Sequence, residues 1–189
     1  MRAFFLFVLL VFGGTGSAED QRRATDDAKE THITRADLPG FQVIGIEVRT
    51  TNAKEATAAG IIPQQWQKFF QEGIQTEIPD KVGSNIYAVY SDYASDHNGE
   101  YTYVIGAMVK DGTAPPEGMV AIRIPAGQYA VLTTDRGPLP KVVPGTWQKI
   151  FKLEDDGKLK RAYRTDFEIY DQRTQDPQNG QVDIYIGIK

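Results

Sequence analysis

The sequence predicts an α+β fold built from two βαββ repeats related by a pseudo-two-fold axis, with antiparallel sheets and a ligand groove at the repeat interface. Three observations carry that expectation. The decapeptide Ile61-Ile62-Pro63-Gln64-Gln65-Trp66-Gln67-Lys68-Phe69-Phe70 returns 81 positions later as Val142-Val143-Pro144-Gly145-Thr146-Trp147-Gln148-Lys149-Ile150-Phe151, keeping the Pro, the Trp and the Gln-Lys pair. The same offset links Gly106, in Tyr103-Val104-Ile105-Gly106, to Gly187, in Tyr185-Ile186-Gly187. Two matches on one offset are the mark of an internal duplication. Each helical pattern is also flanked by strand-like runs joined by polar turns, which favours antiparallel pairing.

Taken in order, residues 1–18 read as an export leader. Arg2 supplies the positive start, Ala3 to Phe12 is an unbroken apolar run, and Gly16-Ser17-Ala18 offers the small residues a signal peptidase needs. The apolar run is far short of the ~20 residues of a membrane-spanning helix, so no stable membrane insertion is expected once the leader is removed. Residues 19–37 are crowded with charges of both signs and carry almost no apolar periodicity, and they read as a charged flexible tether. The folded domain is expected over residues 38–189, with repeat one at about 38–112 and repeat two at about 117–189.

Within repeat one, Phe41 to Arg49 is β-prone and opens after the turn signal Pro39-Gly40. Thr51 to Gly60 reads as loop or weak helix. Pro63 then sits where the first turn of a helix tolerates it, and Trp66, Phe69 and Phe70 fall on one helical face. Pro79 forbids continuation of that helix. Asn85 to Tyr93 and Tyr101 to Lys110 read as strands joined by the turn Ser95-Asp96-His97-Asn98-Gly99. Repeat two restates the order: an extended run from Met119 to Thr134 bent at Pro125-Ala126-Gly127, a helix carrying Trp147, and strands Arg161–Tyr170 and Val182–Ile188.

Composition excludes several functions. The chain of 189 residues carries a net charge of −4 and no cysteine. Thiol catalysis, disulfides, thiolate metal sites and lipobox attachment are therefore ruled out. Without a basic stripe or a nucleic-acid motif, no nucleic-acid partner is expected. His32 and His97 are the only histidines, and neither has a partner at metal-ligand spacing, so no metal and no cofactor are expected.

Period-2 sorting points to a candidate site. Val182, Ile184, Ile186 and Ile188 share one face of the last strand, leaving Asp183, Tyr185 and Gly187 on the other. In the preceding strand Phe167 and Ile169 share a face, leaving Asp166, Glu168 and Tyr170 opposite. The 81-residue offset places Tyr87 at the Glu168 position. This reading gathers Tyr87, Tyr170 and Tyr185 around the carboxylate of Glu168, a combination suited to flat, apolar, positively charged molecules. The same pattern also fits a solvent-facing glutamate, or one paired with Arg164 or Arg123, and tyrosines that merely pack. Trp66 and Trp147 fit core positions better than they fit ligand stackers.

Two segments resemble a known family. Phe167-Glu168-Ile169-Tyr170 followed by Val182-Asp183-Ile184-Tyr185-Ile186-Gly187-Ile188 resembles the closing hairpin of GyrI-like effector-binding domains. Ile124-Pro125-Ala126-Gly127-Gln128-Tyr129-Ala130-Val131 is similar to the strand that opens their second repeat. The resemblance covers residues 38 to 189. It implies two βαββ units around a pseudo-dyad, a groove for drug-like and often cationic molecules, and Glu168 facing that groove. By position it also implies Tyr87, Tyr170, Tyr185 and Trp147 as wall residues. The expected function is an exported, stand-alone and monomeric binder of a hydrophobic or cationic small molecule. The alternative is a hydrolase of reactive cyclopropane-type compounds using Glu168 and Tyr170 or Tyr185.

Overall fold

The computed structural model describes residues 33–189, so the expected leader, His32 and most of the expected tether lie outside the described residues. The elements run β1 (Ile33–Leu38), β2 (Phe41–Thr51), α1 (Asn52–Glu55), α2 (Ile62–Gln71), α3 (Ile74–Glu77), β3 (Ile86–Ser91) and β4 (Glu100–Val109). They continue with β5 (Val120–Ile124), β6 (Gly127–Thr133), α4 (Leu139–Asp155), β7 (Arg161–Tyr170) and β8 (Asp183–Ile188). One antiparallel sheet holds all eight strands in the order β1-β6-β8-β7-β3-β4-β2-β5. The α+β class expected from the sequence is thus what the chain forms.

The expected tether ends earlier than composition suggests. Ile33 to Asp37 belong to β1, which pairs with β6 from Ile33↔Leu132 to Leu38↔Gly127. Charge hides this strand because it lies at the sheet edge, where Thr34, Arg35 and Asp37 stay exposed and only one ladder is made.

The edge strands explain the shape of the sheet. β1 is joined to β2 by Pro39 and Gly40, yet it pairs with β6 at the far end of the strand order. β5 is joined to β6 by Pro125 and Ala126, yet it pairs with β2. Two residues span only ~7 Å when extended, so the sheet must curl until its ends approach. The two connections touch: a Cβ on Gly40 would stand 2.8 Å from the Ala126 nitrogen, and Gly40 holds φ +74. A side chain there would be both strained and blocked.

Curling divides the interior in three. Inside the curl lies a core built on Val43, Tyr87, Val89, Val104, Tyr129 and Phe167. On the outer face α2 covers Ile44, Ile46, Tyr103 and Ile105, while α4 covers Leu132, Ile184 and Ile186. Tyr170 packs against both outer clusters and so marks the seam between the helices. The matched glycines, Gly106 and Gly187, both sit where a Cβ would strike a neighbouring strand. At Gly106 the obstacle is the Ile44 carbonyl; at Gly187 it is the Thr165 carbonyl at 2.8 Å.

The two helices start differently. Pro63 lies in the first turn of α2, but its counterpart Pro144 is internal, because α4 begins one turn earlier behind Pro138 and Pro140. α2 has no side-chain cap of its own. Glu55 supplies one: its carboxylate accepts from the Ile61 and Ile62 N–H groups at 3.0 Å each and from the Thr50 hydroxyl at 2.5 Å. An anion on the first free N–H groups of a helix satisfies them and complements the dipole. Glu55→Ala is expected to cost about 1–2 kcal/mol of stability, read as a lower urea midpoint with an unchanged slope.

Candidate functional site

Glu168 lies in the middle of β7, pairing with Ala88 of β3 on one side and Ile184 of β8 on the other. Cross-strand partners share a face, so Glu168 points to the outer, helix-covered side with Ile184. It does not join Tyr185. The carboxylate is only 1% exposed.

Three aromatic donors hold it. The Trp147 indole N–H donates to Oε1 at 2.6 Å and the Tyr90 hydroxyl to the same oxygen at 2.8 Å. The Tyr170 hydroxyl donates to Oε2 at 2.7 Å. Trp147 comes from α4, Tyr90 from the central strand β3, and Tyr170 from β7 two residues along the same face. Further rings close the walls. Tyr90 meets Tyr103 at 5.2 Å and Trp147 at 4.9 Å between centroids. Trp66 of α2 stands edge-on to Tyr170 at 4.7 Å.

Burial pushes the Glu168 carboxyl above its ordinary value, while the hydrogen bonds from Trp147, Tyr170 and Tyr90 pull it back. Burial, reinforced by the nearby Glu168 charge, raises Tyr90, Tyr103 and Tyr170 well above the usual phenol range, so all three stay protonated. Two of them are thereby fixed as donors to the carboxylate. The buried Tyr103 hydroxyl has no hydrogen-bond partner among the described residues; the Trp66 indole favours its ionised form without reaching hydrogen-bonding geometry.

A second buried acid stands two residues away on the same face and shows the contrast. Asp166 is 0% exposed, and its Oδ2 meets the Arg161 guanidinium at 2.5 Å and the Tyr93 hydroxyl at 2.7 Å. Its Oδ1 accepts from the Gly187 N–H at 2.8 Å. Arg161 also faces Glu154 at 3.5 Å and stacks over Tyr163 at 4.4 Å. A bulge between Arg161 and Asp166, with Tyr163 at φ +52, turns the arginine into this position. Asp166 is therefore neutralised by an internal cation. Among the described residues Glu168 has no ion-pair partner.

The structure brings together Glu168, Tyr170 and Trp147 of the expected set, and it separates Tyr87 and Tyr185 from them. Tyr87 pairs with Ile169, not with Glu168, and lies inside the curl against Phe41. Tyr185 stacks on Phe167 at 4.6 Å and 7° in the same inner core. The cause is register: the 81-residue offset holds for the helices but misplaces β3 by an odd number of residues against β7. A one-residue slip sends every side chain to the other face. Of the two arginines considered as partners, Arg123 pairs with Asp111, and neither approaches Glu168. Tyr90 and Tyr103 are wall residues that sequence reasoning missed, and Trp66, which fitted a core position in the sequence, is a third. Tyr90 was legible in period 2 with Ala88, but only knowledge of the pairing puts it opposite the seam.

His97, in the turn between β3 and β4, packs against α4. Its ring stacks on Phe151 at 5.1 Å, and Nδ1 lies 3.4 Å from both Glu154 and the Tyr163 hydroxyl. No group of three or more potential metal-ligating side chains occurs among the described residues. No described helix is long and apolar enough to cross a membrane.

Comparison with known proteins fits this geometry. A family described as integron-associated effector binding protein, Cass2, matches residues 36–188. YobU of Bacillus subtilis is 35% identical over 160 residues, covering 84% of this chain and 98% of that one. The transcriptional regulator BrlR of Pseudomonas aeruginosa is 34% identical over 163 residues, covering 85% of this chain and 56% of that longer protein. Among solved structures, an integron cassette protein from Vibrio cholerae superposes with a TM-score of 0.66 at 28% identity, covering 83% of this chain and 95% of that one. SAV2435, solved bound to tetraphenylphosphonium, shares the fold at a TM-score of 0.68 and 19% identity, covering 84% and 94% of the two chains. With its βα-rich order, its seam between α2 and α4 and a match across nearly the whole described region, the chain belongs to the integron-associated effector binding (Cass2) family, within the GyrI-like group.

Proposed function

We propose that this protein binds hydrophobic, positively charged small molecules at the seam between α2 and α4, with Glu168 as the counter-charge, and that it does so as an exported protein. One observation carries the reading: two acids are buried side by side on β7, and among the described residues only Asp166 has an internal cation. An isolated buried carboxylate is expensive to keep ionised. Three donors hold Glu168 in place, yet each is neutral, so a positive guest is what would complete the charge balance. Aromatic walls add attraction to a cation while offering apolar surface to its substituents.

The hydrolytic alternative needs Glu168 free to take a proton, and its two oxygens already accept three hydrogen bonds. The fold of SAV2435, which was solved with tetraphenylphosphonium, supports the choice of probe.

The test compares two ions of one shape and opposite charge. Tetraphenylphosphonium is expected to bind saturably in a calorimetric titration, and tetraphenylborate is expected not to bind. Equal binding of both would show that shape alone governs the site and would end the electrostatic reading. Export is tested separately, by sequencing the N-terminus of protein recovered from its own host. A chain still beginning at Met1 in the cytoplasm would overturn it.

A further inference from the structure

α4 does not cover all of its side of the sheet. The helix ends at Asp155, Gly157 reverses the chain at φ +69, and a hollow of about 390 Å³ is left beside β1, β6 and β8. Small-molecule sites commonly hold about 300–1,000 Å³. The floor is apolar: Ala130 and Leu159 are buried, Ile33 and Ile188 half-buried, and all four belong to the cluster packed under α4. In the strand order β8 stands between β6 and the β7 strand that carries Glu168. The hollow is therefore separate from the seam between α2 and α4.

The rim is cationic. Arg35, Lys158, Lys160 and Lys189 line the hollow, and among the described residues no Asp or Glu does. This grouping runs against a chain that holds 25 acids to 21 lysines and arginines. Arg35 lies opposite Ala130 in the β1–β6 ladder. Cross-strand partners share a face, so Arg35 stands over the hollow's side of the sheet rather than off its edge. The Lys189 N–H donates to the Lys160 carbonyl at 3.1 Å, which holds those two residues together. Lys158 has Asp156 at 3.7 Å, whereas Arg35 and Lys160 pair with no carboxylate among the described residues. Lysines near a helix end often serve its dipole. Here Lys152 lies in the last turn of α4, and the Leu153 and Glu154 carbonyls already accept from the N–H groups of Lys158, Leu159 and Gly157.

We infer that this hollow is a second small-molecule site, taking one anionic amphiphile: a phosphate or carboxylate head on a short aliphatic chain. Arg35 and Lys160 hold the head, and Ala130, Leu159 and Ile188 receive the chain. Like charges set around one opening repel each other, and an anion between them removes that cost. Arginine and lysine stems extend an apolar floor while their heads meet the charge. The site is independent of the cation site at Glu168.

Calorimetric titrations with octyl phosphate, octanol and inorganic phosphate separate head from chain. Octyl phosphate is expected to bind saturably at one site and to lose about tenfold in affinity in the double variant Arg35→Gln/Lys160→Gln. Octanol and inorganic phosphate are each expected to bind wild type at least about tenfold more weakly than octyl phosphate. Both substituted side chains are exposed, so the melting curve of the double variant is expected to match that of wild type. Octanol binding as tightly as octyl phosphate would show that the cations take no part. Inorganic phosphate binding as tightly would show the same of the floor, and either result overturns the site. A double variant that binds octyl phosphate like wild type places the ligand elsewhere and overturns it too. Binding to phosphatidylglycerol vesicles without binding of monomeric octyl phosphate would make the patch a membrane contact instead.

Discussion

Replacing Glu168 by glutamine is expected to weaken tetraphenylphosphonium binding by about 2–4 kcal/mol, roughly 30- to 1,000-fold in Kd, with no loss of folding stability at pH 7. Glutamine is a clean substitute here. Its carbonyl oxygen can accept from Trp147 and Tyr90 as Oε1 does, and the Tyr170 hydroxyl can turn from donor to acceptor toward the new amide. What disappears is the charge. Because burial raises the Glu168 pKa in the folded, empty protein, the folded state holds its proton more tightly than the unfolded state. Its contribution to stability is most favourable below the unfolded value, near 4.5, and declines as pH rises through the raised folded value. Glu168→Gln removes that decline, so its melting temperature at neutral pH is expected to equal or exceed that of wild type.

Binding carries the opposite pH sign. A cation needs the ionised carboxylate, so affinity is expected to be full above the raised pKa of the empty site and to fall as pH drops through it. That fall begins at a higher pH than an ordinary glutamate would give. In Glu168→Gln the residual affinity is expected to be flat across the same range. A glutamine variant that keeps the wild-type pH profile would place the titrating group elsewhere.

Arg161→Met is expected to destabilise the fold by about 3–5 kcal/mol. It strands Asp166, which is 0% exposed and keeps only the Tyr93 hydroxyl and the Gly187 N–H as partners. The guanidinium also lies over four rings, those of Tyr163, Tyr93, Trp147 and Phe151, so its loss opens a gap behind Trp147. The double variant Arg161→Met/Asp166→Asn is expected to recover most of the loss, because the asparagine oxygen still accepts from Gly187 and no charge is left stranded at position 166. Urea denaturation of the single and double variants measures this. Equal destabilisation in both would mean that packing of the arginine, rather than charge pairing, is what holds the strand.

The sequence made one part of the candidate site legible and hid another. Glu168 and Tyr170 share a strand, so their common face follows from period 2 alone. Trp147 followed only from resemblance, since a tryptophan on a helical face fits a core position better. Tyr87 and Tyr185 were misplaced because each sits on a different strand, and the faces of different strands are related only through register. An offset that aligns two helices carries no information about parity across a sheet. Tyr90 and Trp66 illustrate the same gap from the other side: both are ordinary apolar-pattern residues until β3 is set beside β7 and α2 is laid over the seam.

The internal sequence match, with its paired tryptophans and glycines, by itself determined the α+β class, the order of helix and hairpin in each half, and strand limits such as Arg161–Tyr170, because these depend on local periodicity and turn chemistry. Only the tertiary structure decided that β1 and β5 exchange ends, that the sheet curls around an inner aromatic core, and that Asp166 keeps an arginine while Glu168 keeps none among the described residues. Those outcomes rest on contacts between residues distant in the chain, where a shift of a single residue in pairing exchanges the buried face for the opposite one.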